Sequence, residues 1–320
     1  MTSLLDIRDL KVTYHTSRGA LTAVAGVSLK VEEARTMSLI GESGSGKSSI
    51  ARAICGLNPV ESGAILIGDR DLAREGLNQS VAAGAAGVQI VFQDPVSALD
   101  PRWPVWRSII EPRLARFPAD QAEHRRVAVR LMERVGLSPA YAERRPHQLS
   151  GGQRQRVTIA RALAAEPKLV ILDEAVSALD VSVRNEILAL LDELKRERQL
   201  TYLFISHDMG AVAQMSSDVA VLYLGRLMEV GTAEQVIRRP AHPYTRALIA
   251  AVPTIDGARQ QAARVIGDID DPAHPPAGCR FHRRCPHAVE RCRTEVPEER
   301  VFDGRLVACI RVEEIAALQH

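Results

Sequence analysis

The stretch from Gly41 to Ser48, GESGSGKS, constrains this chain more than any other. It fits the spacing G-x-x-x-x-G-K-[ST] and sits between an apolar run, TMSLIG, and a segment of helical spacing, Ser48 to Leu57. Glycines at these positions let successive backbone N–H groups face phosphate oxygens with no Cβ in the way. Lys47 would then reach the β- and γ-phosphates and Ser48 would hold Mg2+, while the helix directs its positive N-terminal end at the anion. A glycine-rich surface turn is the plain alternative for these eight residues alone. A buried strand feeding the loop and a helix leaving it argue against that turn.

A loop of this kind belongs at the end of a parallel strand, and the rest of the chain supplies such strands. KLVILDE and TYLFISH are apolar runs separated by the amphipathic NEILALLDELKRER, the strand, helix, strand alternation of a parallel α/β sheet. LDIRDLKVTY and TAVAGVSLKV read as short early strands, and AILIG and VQIVF as two more. Gly56 and Asn58-Pro59 stop the first helix. From Trp103 to Ala165 the pattern turns helical, with Val127, Leu131 and Val135 on one face and Pro139 and Pro146 breaking the run. This predicts a helical insertion over about residues 95–165. VAVLYLGRLMEVG reads as a closing hairpin, and beyond Arg239-Pro240 the chain is rich in Pro, Arg and Cys, which places a boundary near residue 240. The expected organisation is a core of residues 1–240 and an extension of residues 241–320.

Asp173 ends the apolar strand of KLVILDE, where a carboxylate completes a Mg2+ site, and Glu174 follows beyond the strand end, placed to polarise an attacking water. A capping or surface acid is the alternative for Glu174. In LSGGQRQRV, Ser150 can cap a helix whose first donors, with the Gly151-Gly152 backbone, form a second anion pocket. An ordinary capped helix has the same sequence.

Composition narrows the setting. With 46% hydrophobic and 25% charged residues in 320, the chain can fill one large core plus an appended module, and a net charge of +2 demands no nucleic-acid partner. The first residues, MTSLLDIRDLKVTY, lack the pattern of a secretion signal, and no apolar run approaches the roughly 20 residues of a spanning helix. A cytosolic chain with a peripheral membrane role is expected.

Taken together, these residues resemble the ATP-binding subunits of ABC transporters, and the resemblance covers nearly the whole chain. Beside GESGSGKS stand Gln93 in VFQD, LSGGQ at Leu149 to Gln153, LVILDE, SALD at Ser177 to Asp180, and His207 in ISHD, all in the family order. Alone, Gln93 reads as a surface amide and His207 as a polar residue at a strand end. The resemblance implies a P-loop, RecA-like ABC ATPase fold with a helical subdomain. It implies that Gly41, Ser43, Gly44, Gly46, Lys47, Ser48 and Ser49 hold ATP, and that Ser48, Gln93 and Asp173 hold Mg2+. Glu174, His207 and Gln93 are the implied catalytic residues. Tyr14 is the implied adenine stacker, with a core aromatic as its alternative. Ser150, Gly151, Gly152, Gln153 and Asp180 would meet the nucleotide of a second copy. Ala175 stands where many ABC ATPases carry proline, which touches no reacting group.

ERRPHQLSGGQRQRV, DEAVSALDVSV and AHPYTRAL narrow the resemblance to the oligopeptide/dipeptide importers. That kinship implies two membrane-spanning permease subunits, a second ATP-binding subunit (a paralogue or a second copy), an extracytoplasmic solute-binding protein, and a place on the cytoplasmic face of the inner membrane. The cargo it implies is peptide, with a nickel chelate or another small solute as the alternative.

Four cysteines of the small Cys-rich extension, Cys279, Cys285, Cys292 and Cys309, are separated by five, six and sixteen residues, wider than the pairs of a structural zinc site. The subfamily resemblance associates them with a 4Fe-4S cluster, for which four-cysteine ligation is suitable, with Zn2+ as the alternative. Arg280, Arg283, Arg284, Arg291 and Arg293 would offset its charge. Four reduced, buried thiols are the plainer reading, as they are for Cys55. Two rival functions are a soluble ABC ATPase acting on nucleic acid or ribosomes and a redox or metal sensor with ATPase output. One nucleotide-binding set, no long coiled-coil insertion and few aromatics disfavour the former.

Overall fold

The computed structural model of the chain describes residues 3–17, 19–74, 83–84, 86–114, 116–251 and 270–318. Part of the expected extension, residues 252–269, lies outside the described residues.

Strand periodicity organises the centre. β1 (Ser3–Thr16), β2 (Gly19–Glu32), β4 (Ser62–Ile67) and β5 (Arg70–Asp71) form an antiparallel sheet in the order β2-β1-β4-β5. The first two were expected to be short and instead run 14 residues each. They stay continuous because the register shifts between Ile7 and Leu10, where Asp9 takes a positive φ of 45°.

The larger sheet contains β3 (Thr36–Ile40), β6 (Val88–Val91), β7 (Leu169–Asp173), β8 (Thr201–Ile205) and β9 (Asp218–Tyr223), which lie parallel in the order β9-β3-β8-β7-β6. Every residue of β3, β7 and β8 is buried, as continuous apolar runs predict for a sheet covered on both faces. Alternate residues enter different cores. Leu169 and Ile171, with Leu203 and Ile205, pack on the face of α1 (Lys47–Ile54), whereas Val170, Leu172, Tyr202 and Phe204 pack on the other. By the same period Asp173 falls on the α1 face.

The opposite face carries α2 (Val105–Leu114), α3 (Gln121–Arg134), α4 (Gly151–Ala164), α5 (Val181–Arg198) and α6 (Met209–Met215). The expected helical region is present, and Leu131 and Val135 are buried with Val127 packed against the same core. Pro139 and Pro146 each open a short 3-10 turn instead of merely ending a helix. α1 stops at Ile54, earlier than the expected Leu57, where Gly56 adopts φ 64° and Leu57 is exposed.

β9 and β10 (Arg226–Thr232) form the expected hairpin, but it does not close the sheet. β10 also pairs with β12 (Arg305–Val307), which pairs with β11 (Arg300–Phe302). The extension also contributes α7 (Pro243–Ala250), α8 (Glu290–Thr294) and α9 (Val312–Ala317). A buried ion pair fastens it: Arg305 Nη1 donates to Glu229 Oε1 at 3.2 Å, while Glu229 also accepts from the N–H groups of Ala241 and His242.

Candidate functional site

Strand register gathers the site. Val91 lies opposite Leu172, Asp173 opposite Ile205, and Leu39 opposite Ile205, so four parallel strands end nearly level. The residues just beyond those ends are Gln93, Glu174, His207 and the loop opening at Gly41. Ligands bind at the carboxyl ends of such strands.

The loop can form only with glycine at two of its positions. Gly41 has φ 150° and a Cβ there would lie 2.1 Å from the Leu222 carbonyl oxygen; Gly46, at φ 106°, would meet the Ala23 carbonyl at 2.3 Å. Gly46 also precedes the first turn of α1, so that helix opens onto the loop. Ser43 and Gly44 are exposed at the mouth, whereas Ser45, Gly46 and Lys47 are buried. Lys47 Nζ donates to the carbonyls of Gly41 and Glu42, both at 2.8 Å, and to Ser45 Oγ at 3.2 Å. Burial pulls its pKa below the usual lysine value, and Glu174, Asp173 and Glu42 oppose that pull. Loop carbonyls thus hold the ammonium where a phosphate would compete for it.

Ser48 Oγ donates to Asp173 Oδ1 at 2.9 Å. Burial raises the Asp173 pKa and this hydrogen bond works against the rise. A hydroxyl and a desolvated carboxylate side by side are the hard oxygen donors that Mg2+ takes, so the residues present fit the metal. Glu174 adopts a positive φ of 50°, with its N–H bonded to the Ile205 carbonyl and its Oε2 3.6 Å from His207 Nδ1. Gln93 is exposed. The strained turn at Glu174 lifts its carboxylate out of the strand toward that histidine.

Tyr14 is held from two sides. Its hydroxyl donates to Ser49 Oγ at 3.0 Å and accepts from Asn58 Nδ2 at 2.6 Å, tying β1 to α1. The ring packs partly buried against the core, and Ser49 is a partner of its hydroxyl.

The second motif is built as expected. Ser150 caps α4, accepting from Gln153 N–H at 3.3 Å, while Gln153 Oε1 accepts from Ser150 N–H at 3.0 Å. Gly151 is exposed, and a Cβ on Gly152 would lie 2.7 Å from Val183 Cγ1 at the start of α5. Asp180 is exposed ahead of α5 and caps it with no side-chain bond. Among the described residues no hydrogen bond joins this motif to the loop at Gly41–Ser48.

Cys279, Cys285, Cys292 and Cys309 line one small cavity together with Phe281 and Ile310. Burial pushes the Cys279 thiol up to about 12 and the Cys285 thiol up to about 11. Among the described residues, however, no group of three or more His, Cys, Asp or Glu is placed to hold a metal ion, so the geometry gives the metal-centre expectation no support. The flanking arginines also differ from expectation. Arg283, Arg284, Arg291 and Arg293 pair with Asp270, Glu42, Glu295 and Glu290, and the cations acting on Cys309 are Arg300 and Arg311. Cys55 is buried with its pKa pushed up to about 12, as a small hydrophobe should be.

Sequence reasoning missed the company of Glu42. Its N–H donates to Tyr244 Oη at 3.0 Å and its carboxylate takes both Nη atoms of Arg284. The segment AHPYTRAL turns into a helix, and His242 caps α7 by accepting from Tyr244 N–H. Tyr244, the second residue of that helix, is fully buried.

Comparison with known proteins shows the family. Residues 24–177 match the ABC transporter family and residues 228–292 the oligopeptide/dipeptide transporter C-terminal region. The di/tripeptide transport ATP-binding protein DppF of Pseudomonas aeruginosa is 40% identical over 98% of this chain and 99% of its own length. The probable peptide ABC transporter ATP-binding protein y4tS of Sinorhizobium fredii is 44% identical over 96% of this chain and 87% of its own. Among solved structures, the ATP-binding cassette MJ0796, a dimer in a post-hydrolysis state bound to ADP and Pi, superposes with TM-score 0.65 at 26% identity, covering 72% of this chain and 98% of that one. With the phosphate loop, the carboxylate strand and the capped glycine motif in one frame, this chain belongs to the ATP-binding subunits of ABC transporters, those with the oligopeptide/dipeptide C-terminal region, and is an ATPase.

Proposed function

We propose that the chain powers uptake of di- and oligopeptides across the cytoplasmic membrane, from the cytoplasmic face, as one of two ATP-binding subunits beside two permease subunits and a solute-binding protein. The observation that carries this reading is similarity to di/tripeptide transport ATP-binding proteins along nearly the whole chain, extension included. In this reading residues 1–240 are the nucleotide-binding domain and residues 241–320 the extension.

Each residue has a task that its position supports. The N–H groups of the loop bind the phosphates, and Lys47 exchanges its carbonyl partners for phosphate oxygens. Ser48, Asp173 and Gln93 hold Mg2+, which when bound neutralises phosphate charge. Glu174 takes the proton from the attacking water, with His207 beside its carboxylate to contact the γ-phosphate. Ser150 to Gln153 and Asp180, of which Ser150, Gly151 and Asp180 are exposed on one chain, close over the nucleotide of a second chain, so each loop is half a site. Val96, 54% exposed just after Gln93, offers apolar surface to a permease helix. Peptide uptake by vesicles carrying the assembled transporter, lost in Glu174→Gln, tests the whole reading; uptake of nickel chelates but not peptides would replace the cargo.

We also propose that the four thiols of the cavity ligate a 4Fe-4S cluster. The reading starts from the four thiols lining one small cavity and from the suitability of four-cysteine ligation for such a cluster. Zn2+, which draws its thiolates to about 2.3 Å from one centre, is the alternative. Iron and sulfide assay of anaerobically purified chain decides it, and stoichiometric zinc or no metal would remove the cluster.

A further inference from the structure

The phosphate loop carries its own anion. Glu42, second residue of the loop, takes the Lys47 ammonium on its backbone carbonyl at 2.8 Å, and its carboxylate adds a negative charge on the same loop. That carboxylate and an incoming triphosphate compete for one cation. In the folded chain the carboxylate is already taken. Arg284 Nη1 donates to Glu42 Oε2 at 2.7 Å and Nη2 to Oε1 at 2.9 Å, a two-point fork that fixes both oxygens.

Arg284 is itself held firmly. It is 6% exposed, its Nη1 also donates to Tyr223 Oη at 3.1 Å, and its guanidinium lies 5.6 Å from the Tyr223 ring and 5.9 Å from the Phe281 ring. Tyr223, Tyr244 and Phe281 pack mutually with centroids 4.6 to 5.5 Å apart. Tyr244 then takes the Glu42 N–H. Side chains from α7 and from the segment between α7 and α8 therefore meet on one loop residue, braced by Tyr223 of β9.

We propose that Arg284 is a positioning residue for nucleotide binding: it sequesters the Glu42 carboxylate and so leaves Lys47 free to take the phosphates. The inference rests on the assignment of Gly41–Ser48 as the nucleotide loop. It requires that the charge of Glu42, not the loss of packing, be what harms binding when Arg284 is gone.

The test measures MgATP affinity of the full-length chain by calorimetry, with circular dichroism and melting as a check on folding. Arg284→Ala is expected to weaken MgATP about tenfold, and Arg284→Ala with Glu42→Gln to return to within about twofold of wild type. The loss in Arg284→Ala should shrink as salt rises from about 0.05 to 0.5 M, because screening acts on charge and not on packing. Glu42→Gln alone should bind as well as wild type or better, and this arm decides if Arg284→Ala does not fold. A double variant as weak as Arg284→Ala, or a Glu42→Gln chain that binds tenfold worse, would overturn the proposal and leave a purely structural clamp. Lys47→Ala separates the two readings: undiminished affinity there would refute the loop assignment itself.

Discussion

Ser48 Oγ donates to Asp173 Oδ1 across 2.9 Å, joining the first turn of α1 to the last residue of β7. Burial raises the pKa of this carboxyl above the usual carboxylate value, and the Ser48 hydrogen bond opposes the rise. A carboxyl with a folded pKa above its unfolded value costs stability once it ionises, so that cost is present at neutral pH and vanishes in acid. Asp173→Asn should therefore melt at or above wild type at pH 7 without nucleotide. It should also lose most of the added stability that Mg2+ with ATP gives wild type, and its turnover should fall about 10²-fold or more. Melting curves with and without MgATP check both signs, and equal stabilisation of the two proteins would separate Asp173 from the metal.

Glu174 sits on a positive φ beyond the same strand, its carboxylate 3.6 Å from His207 Nδ1. Gln in its place keeps size and hydrogen bonding but cannot accept a proton. Glu174→Gln is expected to bind MgATP within about threefold of wild type while turnover drops about 10²- to 10⁴-fold. Single-turnover hydrolysis at a wild-type rate would take the base role away from Glu174.

The phosphate loop and the carboxylate strand were legible because both are local: eight consecutive residues spell one, and an apolar run ending in Asp173-Glu174 spells the other. Alternation along β7 even assigns Asp173 to the face of α1. What could not be read were contacts between distant positions with no periodicity. Glu42 and Arg284 are 242 positions apart, and nothing local marks either as the other's partner. β12 is three residues long, too short for a pattern, although Asp303-Gly304 before it is a turn signal that the reading passed over. Tyr14 is a similar case: nothing local marks its hydroxyl as the partner of Ser49 and Asn58.

The exposed second motif predicts concentration dependence. Ser150, Gly151 and Asp180 face solvent in the single chain, with no bond to the phosphate loop among the described residues. If each loop is half a site, turnover per chain should rise steeply with protein concentration and then level off. Glu174→Gln with ATP should sediment as a dimer, and adding Ser150→Arg should return it to monomer, because the cap is lost and a long side chain stands on the face that must close. Full-rate turnover by isolated monomers would contradict the shared site.

His242 gives the extension an acid limit. The side chain is fully enclosed, its Nδ1 accepts the Tyr244 N–H at 3.0 Å, and burial pushes its pKa from the ordinary 6.5 down to about 3. The acceptor role at Nδ1 requires the neutral ring. Because the folded pKa is lowered, the unfolded chain takes the proton first, so the contribution of His242 is complete above about pH 6.5 and is lost as pH falls toward 3. At pH 5 that amounts to about 2 kcal/mol. His242→Asn keeps an acceptor for the cap but has nothing to titrate. It should be less stable than wild type at pH 7.5, through lost packing, yet its stability should change less between pH 7.5 and 5. Denaturant midpoints at both pH values test this, and parallel pH slopes for the two proteins would rule His242 out. The same cap positions Tyr244, which takes the Glu42 N–H, so acid that opens α7 should weaken nucleotide binding in the wild-type chain before it unfolds the sheet.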